Sequence, residues 1–159
     1  MTETTIAPIM RTVTVNRSVE EAFRIFTREM GSWWPLETHS MATDTYGGTV
    51  RAESVVFEER EGGRVYEVMS DGTEGSWGTV LAWDPPHRFA MTWKPNANAN
   101  PPTELEVRFA REGGGTRVEL EHRGWERLGE IAAEAREGYA SGWPGVLELY
   151  QAAANEEVA

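Results

Sequence analysis

The sequence predicts an α+β fold: a seven-stranded curved antiparallel sheet wrapped around a long C-terminal helix, with two short helices between strands 1 and 2. Three observations carry this expectation. From about Val50 to Arg123 apolar residues alternate with a period of two, in short segments separated by turn formers, and no helical repeat interrupts them. Tyr139, Trp143, Val146, Leu147 and Tyr150 then recur at the spacing of one helical face. A sheet that is apolar on one side must bury that side, and this helix is its simplest cover.

The elements follow in order. Ile9 to Val15 alternates as a strand, and Ser18-Val19-Glu20-Glu21 forms a capping box that opens a helix with Val19, Ala22, Phe23 and Phe26 on one stripe. Gly31 suits its end. Ser32-Trp33-Trp34-Pro35-Leu36 reads as a short helical turn leading into a polar loop, Glu37 to Gly48. Two adjacent tryptophans there are either a plug on the core or the rim of a pocket.

Strands are expected over Val50 to Glu59 and Arg64 to Ser70, joined by Gly62-Gly63, with Asp71-Gly72 turning the chain again. The stretch from Trp77 to Trp93 reads as a hairpin about Asp84-Pro85-Pro86-His87, because proline fixes φ and donates no backbone hydrogen bond. Its second strand puts Phe89, Met91 and Trp93 on one face. Lys94 to Pro102 is rich in Pro and Asn and reads as an exposed loop. Glu104 to Ala110 and Thr116 to Arg123 are half-buried strands with charged backs, joined at Gly113-Gly114-Gly115. In the C-terminal segment Gly138, Gly142 and Pro144 predict a kink or break, with the main helix covering Tyr139 to Asn155.

Composition narrows the function. The 159 residues fit one domain, with an ordered core over about 9–155, large enough to bury a core without disulfides or a structural metal. There are no cysteines, which excludes disulfides, thiolate metal sites and a cysteine nucleophile. A net charge of −11 opposes nucleic acid and anionic membrane as partners, since both are bound by clustered Lys and Arg. Lys94 is the only lysine, so a Schiff-base mechanism has one unpromising candidate. Neither a signal-peptide pattern nor an apolar run near 18 residues is present, and a cytoplasmic location is expected.

Several motifs together resemble a known family. They are Val19 to Phe26 after the first strand, Gly62-Gly63-Arg64, Gly78 to Trp83 leading into Asp84-Pro85-Pro86-His87-Arg88, Thr92-Trp93, Thr116-Arg117-Val118-Glu119-Leu120, and the helix carrying Trp143. In this arrangement the chain resembles the bacterial single-domain members of the activator of heat-shock protein 90 ATPase-like family, within the START-like (SRPBCC) helix-grip superfamily. The resemblance spans about Arg11 to Ala154. It implies the helix-grip fold and a ligand-sized cavity between helix and sheet. It does not imply one activity, because carriers, cyclases and co-chaperones share the scaffold.

Candidate site residues come from polar groups in apolar rows and from the seven tryptophans. Glu67 stands between Val65 and Met69, and His122 continues the inward row of Val118 and Leu120. With Trp34, Trp77, Trp93, Tyr139 and Trp143 they form the expected ligand-binding set. No catalytic constellation, metal site or cofactor is expected. His39, His87 and His122 have no ligand spacing, and Gly113-Gly114-Gly115 lacks the context of a phosphate loop. Three readings remain: a binding protein for a small, largely apolar molecule; a cyclase- or hydrolase-type enzyme using Glu67 and His122; and an interaction module in contact with a chaperone. A monomer or weak homodimer is expected.

Overall fold

The computed structural model describes residues 6–35, 52–94 and 101–155. These residues form a seven-stranded antiparallel sheet in the order β1-β7-β6-β5-β4-β3-β2. The strands are β1 (Ile9–Val15), β2 (Ala52–Phe57), β3 (Arg64–Met69), β4 (Glu74–Asp84), β5 (Arg88–Trp93), β6 (Thr103–Glu112) and β7 (Gly115–Arg123). Between β1 and β2 lie α1 (Val19–Phe26) and α2 (Met30–Trp33). A 3-10 helix, Trp125–Ile131, then leads into α3 (Ala132–Asn155), which crosses the concave face. The expected polar loop Glu37 to Gly48, and most of the loop before Pro102, lie outside the described residues.

Ser18 caps α1 as expected. The Ser18 hydroxyl accepts from the Glu21 backbone N–H at 3.2 Å and donates to the Glu21 carboxylate at 3.1 Å. The helix ends earlier than Gly31, however, at Phe26. Thr27 caps it, with backbone N–H and hydroxyl both reaching the Phe23 carbonyl, and this buried threonine closes the last turn. Gly31 lies instead within α2, against the backbone of Val55.

The hairpin β4–β5 turns at Asp84–Arg88, as the prolines dictate. Strict alternation fails on β4. Trp77 and Val80 are both buried although three residues apart, and Leu81 is exposed. Register shifts at both edges of the strand explain this, between Val65 and Tyr66 on the β3 side and between Val80 and Ala82 on the β5 side. Gly78 belongs to the irregularity: a Cβ there would run into the Thr92 carbonyl, so only glycine lets β4 and β5 approach so closely.

α3 differs most from expectation. It begins at Ala132, seven residues before Tyr139, and runs through Pro144 to Asn155. The break lies upstream, at Gly129, whose φ of 61° separates the 3-10 helix from α3. Pro144 leaves the carbonyl four residues earlier, that of Ala140, without its helical donor. Arg11 of β1 supplies one, its Nη2 lying 3.1 Å from the Ala140 oxygen. The sheet thus mends the helix across 129 residues of chain. Replacing Arg11 with Met keeps the apolar stem and removes the donor. We expect Arg11→Met to lose about 1–2 kcal/mol in chemical denaturation, with faster amide exchange over 132–141. Unchanged stability and exchange would show that water satisfies this carbonyl.

Candidate functional site

β3 buries Val65, Glu67 and Met69 in alternation, so the pleat carries the Glu67 carboxyl into the core with no exposed surface. Its partner across β4 is Gly75, which presents no side chain. Two residues further on, Trp77 meets the carboxyl: indole Nε1 donates to Glu67 Oε1 at 3.1 Å.

His122 is also fully buried, near the end of β7. Trp143 Nε1 donates to its Nδ1 at 3.0 Å. An indole nitrogen can only donate, so Nδ1 carries no proton and the neutral ring is protonated on Nε2. Nε2 then donates to Thr103 Oγ1 at 2.7 Å, and the threonine hydroxyl donates to the Trp93 carbonyl at 3.1 Å. A donor chain therefore runs from α3 through β7 and β6 to β5. Burial holds the imidazole pKa down to about 3, so the ring is neutral at ordinary pH.

Around these polar groups the rings converge. Trp34, just past α2, lies 4.9 Å from Trp77, 5.8 Å from Trp93 and 6.1 Å from Trp143, centroid to centroid. Trp77 and Trp93 are 5.6 Å apart, and Trp93 and Trp143 5.4 Å. Tyr139 stands one helical turn from Trp143, 4.9 Å from His122. All seven residues expected to bind a ligand therefore fall in one connected cluster, Glu67 joining it through Trp77 and Tyr139 through His122 and Trp143. Tyr139 also lines an open groove of about 490 Å³ with Ile131, Glu134, Ala135 and Gly138, so the aromatic cluster and the surface meet at that ring. Among the described residues no group of acidic or histidine side chains could hold a metal ion.

Two members of the cluster escaped the sequence. Thr103 falls between the expected loop Lys94 to Pro102 and the strand expected from Glu104, and the pairing of Trp93 with Thr103 brings it to His122. Trp125 has no place in the helical face that starts at Tyr139. The left-handed Gly124 turns it back on His122, with the rings 4.2 Å apart and its Nε1 donating to the His122 carbonyl.

A curled sheet gripping one long helix, with an aromatic interior that holds a buried carboxyl and a neutral imidazole, defines a helix-grip protein. The chain belongs to the family described as Activator of Hsp90 ATPase homolog 1-like protein, which matches residues 16–152. No curated protein sequence matches it. Among solved structures it is similar to an anthrahydroquino-gamma-pyrone synthase, Txn09, complexed with SUM. That match has 35% identity and a TM-score of 0.60, covering 92% of this chain and 96% of the other. It is also similar to CalC from Micromonospora echinospora, a self-sacrificing resistance protein, at 28% identity and a TM-score of 0.67, covering 91% and 92%. The Aha1 dimer from Colwellia psychrerythraea, 15% identical with a TM-score of 0.60 and covering 94% and 97%, shares the fold alone. No helix among the described residues is long and apolar enough to cross a membrane.

Proposed function

We propose that the chain binds a small, flat, largely apolar molecule between the sheet and α3, against Trp34, Trp77, Trp93 and Trp143. The observation that carries this reading is Glu67, a carboxyl with no exposed surface that accepts from the indole of Trp77, itself packed on Trp34 and Trp93. A core serving only to pack gains nothing from such a group, whose burial costs free energy, whereas a site needs a few polar atoms in an apolar wall to orient its ligand. Tyr139 and the groove beside it are the way in. His122 contributes by position, since both ring nitrogens are engaged and it holds Trp143 and Thr103 in place.

A cyclase-type reaction is the second reading, favoured by the 35% identity with a synthase over nearly the whole of both chains. In that case proton handling falls to Glu67, because an imidazole with a pKa near 3 and no free nitrogen is a poor base. The flat substrate would be a hydroxylated polycyclic aromatic.

Titration with 1-hydroxyanthraquinone, followed by quenching of tryptophan fluorescence, tests the binding reading. Saturable binding is expected, and Glu67→Gln should fold normally and weaken it by about 1 kcal/mol or more. Absence of saturation in the folded wild type removes the binding reading. Turnover of an anthrahydroquinone that stops in Glu67→Gln while binding persists would establish the second.

A further inference from the structure

Five of the tryptophans are buried with their hydrogen bonding resolved, and four of these donate: Trp33 to the Ile25 carbonyl, Trp77 to Glu67, Trp125 to the His122 carbonyl and Trp143 to His122 Nδ1. The fifth, Trp93, is 3% exposed, and its Nε1 is buried with no hydrogen-bond partner. Its main chain is pinned by Thr103, and its ring stands among Trp34, Trp77 and Trp143. A phenylalanine at this position would present a similar apolar face without burying an unpaired donor, so the indole costs free energy that packing does not return.

We propose that Trp93 Nε1–H is the ligand's hydrogen-bond donor, and hence that the molecule bound in the tryptophan cluster carries a neutral carbonyl-type oxygen on a flat aromatic frame. This rests on the binding reading given above and adds the ligand's chemistry to it. The indole N–H is a donor only, so whatever completes it must accept. Its neighbours are indole rings, which suit a flat π-system. The acceptor is neutral because the chain carries a net charge of −11, so an anionic oxygen would meet like charge.

The test compares 9-fluorenone with fluorene, which share a shape and differ at one carbonyl, by tryptophan quenching on wild type and Trp93→Phe. Wild type should bind fluorenone about fivefold more tightly, the worth of one net hydrogen bond. Trp93→Phe should remove that preference, so that fluorene and fluorenone then bind alike. The indole N–H resonance of Trp93 in the wild type provides a readout independent of the variant's folding: it should move downfield with fluorenone and not with fluorene. Equal saturable binding of the two probes, or a fluorenone preference that survives in Trp93→Phe, overturns the proposal and leaves the binding reading standing. No binding of either probe to folded wild type removes the binding reading itself.

Discussion

Trp143→Ala should unfold the protein or bring it close to unfolding. Trp143 is 3% exposed and packs against Trp34, Trp93, His122 and Tyr139, so truncation empties the contact between α3 and the sheet. Cavities of this kind cost about 3–5 kcal/mol. The loss also strips His122 Nδ1 of its donor, adding about 1–3 kcal/mol for a buried acceptor left unmet. Against a total of about 5–15 kcal/mol for an ordinary domain, little remains. Trp143→Phe weights the two contributions differently, because it keeps most of the volume while losing the N–H. Thermal and urea denaturation should place Trp143→Phe between wild type and Trp143→Ala. A wild-type-like midpoint for Trp143→Ala would mean that α3 does not anchor the core.

Mild acid should destabilise the fold through one histidine. The folded pKa of His122 is about 3, well below the ordinary 6.5. The unfolded chain therefore binds a proton that the folded protein refuses, and stability rises with pH wherever that difference holds. The contribution is complete above about pH 6.5. It is lost as pH falls, by about 1.4 kcal/mol per unit below about pH 6.

Carboxylates enter lower down. Glu104 is held below the ordinary carboxylate range by Arg127 and, against some burial, by Arg123. Burial pushes Glu106 up, but Arg123 and Arg108 outweigh it and its pKa is lowered too. Their contributions are present above the ordinary carboxylate pKa and are lost below it, so the interval from pH 6 to 5 isolates the histidine. Urea denaturation at pH 7.5, 6 and 5 should show the slope in wild type and its disappearance in His122→Asn. The same slope in both proteins would assign it to another group.

Local patterns made much of this architecture legible. The strands from β2 to β7, the Ser18 N-cap and the proline turn rest on short-range features, and each forms about where the residues predict it, though alternation fails within β4. Glu67 and His122 were visible for the same reason: the pleat puts alternate residues on one face, so a polar residue in an apolar row must go inside. The break near Pro144 was a reasonable local inference and did not occur, because a donor from β1 meets the orphaned carbonyl.

The sequence by itself determined the helix-grip order of elements and the buried faces of the regularly alternating strands, since periodicity and turn chemistry act over a few residues. Only the tertiary structure decided what those side chains do once inside. It brought Thr103 to His122 through the register of β5 and β6, gave His122 its tautomer through Trp143, and moved the helix break to Gly129. It also left Trp93 Nε1 as the one buried side-chain donor without a partner among the described residues. These outcomes depend on hydrogen bonds between residues far apart in the chain. Spacing along a sequence carries no measure of the distances that close such bonds, and packing sets them.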